Sequence, residues 1–298
     1  MAFNRSFEQA KGSSLPPETH ERLGRLKEHL EERERLPELV RIRRELKRKL
    51  EEPDLSVKDQ LALKTQLRDI NKDILGIVKP EKYAEKAYEK LAGEFDRQLS
   101  RIITQIEARY PDRNDGKAKE YTELLTQHAF PIKERLRELA AREFPEGHTP
   151  FVFVVRDALI PLKEQISLVE SEGKEGFTAL DLSEFKTAEG VEIPESMAYL
   201  AVDIENGKVM LGKSADEAVK QFKKEGRSPL TAEEGIAIIL QHPEILKDHY
   251  MDLPGSRRGD GRVADLWLVE GKPGLSWSWA SSSHAEWGSA SCGSRVGP

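Results

Sequence analysis

A change of texture at residues 144–161, "FPEGHTPFVFVVRDALIP", limits the architectures open to this chain. Phe151 to Val155 is an unbroken run of aromatic and β-branched residues, bounded by Pro150 and by the charged pair Arg156 and Asp157, and it reads as a buried strand. The residues before it have another period. From Pro17 to about Glu143 the apolar side chains recur every three or four positions: Leu39, Ile42, Leu46 and Leu50 form one stripe. Leu63, Leu67, Ile70, Ile74 and Ile77 form a second, and Phe95, Leu99, Ile102 and Ile106 a third.

The breaks between these stripes set the organisation. "EEPDLSVKD" places a stop at Pro53 and lets Ser56 cap a new helix with Asp59 three residues on, which predicts an antiparallel, coiled-coil-like helical hairpin. "YPDRNDG" interrupts the chain from Pro111 to Gly116, and a last helix from Lys117 to Glu143 is expected to bend at Pro131, which lacks a backbone donor. Beyond it, strands are expected at Ala198 to Ile204 and Lys208 to Leu211, with "ENG" as their turn. Ser214 with Glu217 and Thr231 with Glu234 have the spacing of capping boxes, and Gly226 can end the first of these helices. Two to four short strands follow "LPGSRRGDG". The fold class is therefore α+β: a disordered segment 1–16, a helical hairpin arm 17–80, a helical region 81–147, and a mixed domain 148–298 with a mostly antiparallel sheet.

Composition agrees with an exposed helical arm, since 34% of the residues are charged and only 38% hydrophobic, lean for a compact globule. A net charge of -6 argues against a dedicated nucleic-acid binder. The single cysteine makes no internal disulfide, the first residues hold no apolar run of the signal-peptide kind, and no stretch approaches the roughly 18 to 20 apolar residues of a membrane span. The expectation is a soluble, cytoplasmic protein without a membrane partner. No cofactor is implied, because "GSRRGDGR" is neither a phosphate-cradling loop nor a dinucleotide fingerprint. No metal is implied either, because the histidines are scattered and His242 and His249 lack a cysteine partner.

Several separated blocks carry a family resemblance: "FDRQLSRIITQI", "FVFVVRDALIPLKEQISLVESEGKEGF", "SPLTAEEGIAI", "GSRRGDGRVADLWL" and "LSWSWASSSHAEWGSASCGSR". Together they resemble a family of uncharacterised bacterial proteins, a domain of unknown function found mainly in actinobacteria and other Gram-positives, from about Phe95 to the C-terminus. The resemblance implies a bacterial protein. It brings no assigned activity, so it implies no catalytic residue.

The closing stretch concentrates unusual chemistry. As a strand, Leu275, Trp277 and Trp279 share one face, and Ser276, Ser278 and Ala280 the other. The tryptophans read as core, or else the small-residue face, continued by Ser289, Ser291 and their neighbours, floors a pocket. Arg257, Arg258, Arg262 and Asp260 sit in a glycine-flanked loop, and guanidinium groups suit carboxylate or phosphate, with Arg295 able to converge on the same anion. The alternative is an exposed loop whose arginines and aspartate pair with one another. Cys292 follows His284 by eight residues, a candidate nucleophile and base with Asp260 or Glu286 to orient them. A buried, inert thiol fits the same residues. The basic run "RIRRELKRKLEE" lacks interleaved aromatics and reads as the solvated face of a helix.

These readings rank as follows. First is a protein that binds a small anionic or polar ligand, or a protein partner, through its C-terminal Arg/Trp/Ser-rich face (Arg257, Arg258, Arg262, Trp279, Ser289, Ser291, Arg295), with self-association through the helical arm. Second is a hydrolase or transferase using Cys292, or a serine of the tail, with His284 and Asp260. Third is a nucleic-acid-associated protein acting through residues 41–49.

Overall fold

The computed structural model describes residues 35–50, 56–78, 80–111 and 116–298. The expected disordered segment 1–16, the start of the arm at 17–34, the stop at Pro53 and most of the "YPDRNDG" turn lie outside the described residues. Contacts divide the chain into two compact units, Met1–Ala87 and Tyr88–Pro298.

The first unit is helical over residues 35–50 and Val57–Val78. Ser56 caps the second helix as its spacing predicts: the Asp59 amide donates to Ser56 Oγ at 3.1 Å. Leu39, Leu46 and Ile77 are buried, and Leu63, Leu67, Ile70 and Ile74 half-buried, so the stripes read from the sequence are the shielded ones. The basic run stays largely in solvent, with Arg41 held by Glu38 at 2.6 Å and Lys49 near Glu45.

The second unit has one main core shared by helices and sheet. Phe95, Ile102 and Ile106 from the Pro80–Arg109 helix and Leu125 and Ile132 from the Lys117–Glu134 helix join Phe151 and Phe153 in it. Phe95 meets Phe153 edge-on at 5.1 Å. Pro131 lies inside the Lys117–Glu134 helix, and a separate turn, Leu136–Leu139, follows it. The helix stops nine residues before the expected Glu143.

The strands in chain order are β1 (Thr149–Val155), β2 (Glu170–Ser171), β3 (Lys174–Glu175), β4 (Phe177–Thr178), β5 (Phe185–Thr187) and β6 (Ala198–Glu205). They continue with β7 (Ser228–Pro229), β8 (Tyr250–Arg258), β9 (Arg262–Val269), β10 (Lys272–Trp279), β11 (Trp287–Ser289) and β12 (Ser291–Val296). One sheet runs β1-β6-β12-β7, all antiparallel. The other runs β11-β8-β9-β10-β4 with β5 beside β8, and its β11–β8 and β10–β4 pairs are parallel. β2 and β3 form a small separate hairpin.

The Ala232–Gln241 helix touches β1 of the first sheet and β8 and β9 of the second. Its residues from Glu234 to Gln241 are all buried, as a helix apolar on every side must be. Gly235 permits the approach, because a Cβ there would lie 2.5 Å from the Leu253 methyls. Both predicted capping boxes are present, at Ser214 and Thr231, and Gly226 ends the first helix with φ of 67°.

Two expectations are corrected. Residues 208–211 are not a strand: Lys208–Met210 is a single 3-10 turn, because β6 already has β1 and β12 on its two edges and buried Met210 packs with Ala218 and Phe222. "LPGSRR" is not a loop: it lies within β8, where the pairing to β9 is irregular between Leu253 and Arg257.

Candidate functional site

Side chains alternate across a strand, so the six-stranded sheet has two chemically distinct faces. Leu253, Met251, Ala264, Leu266 and Leu275 are buried in the core on one of them. The registers Ser289↔Asp252, Asp252↔Asp265 and Asp265↔Ser276 place a polar row straight across four adjacent strands on the other. Two residues along each strand lies an aromatic row. Trp287 pairs with Tyr250, Tyr250 meets Trp267 edge-on at 6.4 Å, and Trp267 pairs with Gly274. Gly274 makes room for the indole: a Cβ there would sit 3.2 Å from Trp267 Nε1. Tyr250 and Trp287 are 5.2 Å apart, Trp267 and Trp287 6.4 Å, and His284 and Trp287 6.3 Å.

Asp252 and Asp265 are 3% and 1% exposed and directly opposed. Carboxyls at such a cross-strand position repel when both are ionised, so one holds a proton. Burial, reinforced by the charge of Asp252, pushes the Asp265 carboxyl up to about 8. Burial also raises Asp252, opposed by a hydrogen bond from Ser278 and by positive charge at His284. Ser278 Oγ donates to Asp252 Oδ1 at 2.8 Å. Two buried atoms of the polar row, Asp265 Oδ1 and Ser289 Oγ, have no hydrogen-bond partner. Such groups are rare in folded proteins, and each calls for a cause.

A cavity of about 390 Å³ opens over this face, lined by Asp265, the serines Ser276, Ser278 and Ser282, His284, and all four tryptophans of the chain, Trp267, Trp277, Trp279 and Trp287. Among the described residues, no arginine or lysine lines it. Two larger clefts, of about 550 and 700 Å³, also exist. Neither has an unpartnered buried polar atom among its lining residues. Their arginines are already matched: Arg156 with Glu233 at 3.0 Å, Arg227 with Asp203 at 2.8 Å and Arg257 with Asp216 at 2.7 Å.

The structure distributes the residues singled out in the sequence over several places. Arg258 pairs with Glu184 at 2.9 Å and with the loop residue Asp260 at 3.3 Å. Arg262 lies over the Trp277 ring at 3.6 Å and beside Trp279 at 4.8 Å. Arg295 is sealed in the four-stranded sheet against Glu234 at 2.6 Å. Ser291 accepts from Arg227 at 2.8 Å. The arginine loop and the tail do meet, where the Ala280 amide donates to the Gly261 carbonyl at 3.0 Å, yet the guanidinium groups turn to acids and rings instead of a shared pocket. Leu275 is core, but Trp279 is 44% exposed.

Cys292, His284 and Asp260 do not assemble. Cys292 lies on β12 with no exposed surface, its thiol pushed up to about 12 by burial and the nearby Glu234. His284 stands beside Trp287 at the cavity of the other sheet, and Asp260 lies at the exposed β8–β9 turn. A thiol so placed has neither the base nor the access that a nucleophile needs.

Sequence reasoning missed Asp252 and Asp265. Their signal was an aromatic residue two positions from a small or acidic one in three strands, Trp287-x-Ser289, Tyr250-x-Asp252 and Asp265-x-Trp267, completed by Gly274-x-Ser276.

Fold and site together define an α+β domain with a carboxyl pair beneath a tryptophan-walled cavity. The chain belongs to the DUF5701 family, a family of unknown function whose model matches residues 87–298. No curated protein and no solved structure matches the chain. Among the described residues, no helix is long and apolar enough to cross a membrane.

Proposed function

We propose that the second unit binds a small polar ligand in the cavity over Asp252 and Asp265. The observation that carries this reading is that Asp265, which lines the cavity, has a buried Oδ1 with no hydrogen-bond partner. An unpaired buried acceptor costs about 1 to 3 kcal/mol, and a ligand donor would recover it. The aromatic lining with a few polar groups is the usual make-up of a small-molecule site, and the volume is within the usual range. One acid and three serines line this cavity, so the reading favours a ligand that donates hydrogen bonds over the anion expected from the arginines.

All four tryptophans line the cavity, so intrinsic fluorescence is a direct reporter. A screen of small polar molecules is expected to find compounds that shift the emission of the wild type and not of Ser276→Phe, which fills the cavity. An equal shift in both proteins would refute the reading.

A further inference from the structure

We infer that the ligand is an organic cation bearing N–H groups, a primary or secondary ammonium, held at Asp265 Oδ1 beside the Trp267 and Trp287 rings. This rests on the reading of the cavity as a ligand site. Its first support is a charge census. The lining offers one buried carboxyl, with a second directly behind it at Asp252, and no lysine or arginine. Among the described residues, the titratable groups beside Asp265 include Asp252 and Tyr250 from β8 and His284 from the segment before β11. The guanidinium on β9, Arg262, is occupied with the Trp277 and Trp279 rings and with Asp260 at 3.5 Å.

The aromatic row supplies the second support. Indole and phenol rings attract a cation through their quadrupoles, by about 0.5 to 2 kcal/mol depending on desolvation. The orphaned oxygen of a lining residue, Asp265 Oδ1, supplies the third. An oxygen acceptor needs a donor, which a fully methylated ammonium lacks. A neutral polyol could donate but would bring no charge to the buried acids. An ammonium does both. Binding then exchanges one cation for another: the proton held at Asp265 leaves to solvent, and the ammonium takes its place. Among the described residues no group of three or more His, Cys, Asp or Glu is arranged to hold a metal ion, so the organic cation is the favoured occupant.

The test is a fluorescence titration of the full chain with methylammonium, tetramethylammonium, glycerol and calcium from pH 6 to 9, joined to calorimetry in two buffers of different ionisation enthalpy. Methylammonium is expected to bind with affinity rising roughly tenfold per pH unit toward about 8 and level beyond it, releasing about one proton below that pH. In Asp265→Asn, which removes a buried charge and should remain folded, the affinity is expected to fall at least tenfold and lose its pH dependence. Three results would overturn the cation while leaving the cavity a ligand site: tetramethylammonium binding as well as methylammonium, glycerol binding with affinity that falls above pH 8, or calcium binding in place of the amines. Binding of methylammonium unchanged by both Asp265→Asn and Ser276→Phe would overturn the inference and the cavity reading together.

Discussion

Two buried acidic sites, Glu234 packed on the four-stranded sheet and the Asp252–Asp265 pair within the six-stranded one, are treated in opposite ways by their surroundings. In the four-stranded sheet, Arg295 grips Glu234 with two bonds of 2.6 and 2.8 Å, donates to Ser228 Oγ at 2.7 Å and the Pro229 carbonyl at 2.9 Å, and Tyr199 donates to Glu234 at 2.9 Å. Charge and hydrogen-bonding capacity are matched there. In the six-stranded sheet, Asp252 has only a serine, and one oxygen of Asp265 has nothing. Buried charges are tolerated when their geometry is saturated, and the first cluster meets that condition. The second remains a standing cost, and it lies where a cavity opens. The contrast separates groups that complete a core from groups that await a partner.

The largest expected effect comes from unbalancing the matched cluster. Arg295→Met strands Glu234 at zero exposure and should cost about 3 to 5 kcal/mol in urea unfolding. A loss under about 1 kcal/mol would mean that the cluster is not held as tightly as its geometry says.

Asp265→Asn should act in the reverse direction. With Asp265 near 8 in the folded protein and an unfolded value of about 3.9, the folded state keeps a proton that the unfolded chain has released. Wild-type stability therefore falls as pH rises between these values and levels above about 8. The asparagine variant should lose that slope and gain about 3 to 4 kcal/mol on the wild type between pH 5 and pH 8. Denaturation at several pH values decides it, and an unchanged slope would show that Asp265 is not the proton's site.

Smaller effects lie outside the two clusters. Arg262→Ala removes the cation stacked on Trp277 and should lower stability by about 0.5 to 1 kcal/mol, read as a small drop in Tm. The least change is expected at Cys292, which borders the matched cluster. A thiol alkylating reagent at pH 8 should label it only as fast as the protein unfolds, and rapid labelling of the folded protein would show that the sheet around it opens.

Much of the framework was legible because it depends on local spacing. The Ser214 and Thr231 capping boxes and the Val57–Val78 stripe each follow from residues a few positions apart. What was not legible depends on pairing between distant segments. Lys208 to Leu211 has strand-forming residues but no free strand edge beside it. Arg295 reads as an anion ligand until β12 slots beside β6 and brings it to Glu234, 61 residues earlier. Asp252 and Asp265 look like ordinary strand acids, and only the register that sets them opposite each other makes them unusual.

Ala290 is the one residue between β11 and β12, and therefore between the two sheets. Its amide donates to the Asp252 carbonyl at 3.0 Å and its carbonyl accepts from Leu230 at the same distance. A strand that ends in one sheet and begins in the other a single residue later acts as a rivet, since neither layer can peel away without breaking its neighbour's bonds. Amide hydrogens of β8 and β6 should consequently exchange with solvent in one shared opening event, at a single free energy, and the acids of one layer and the arginine of the other belong to the same cooperative unit.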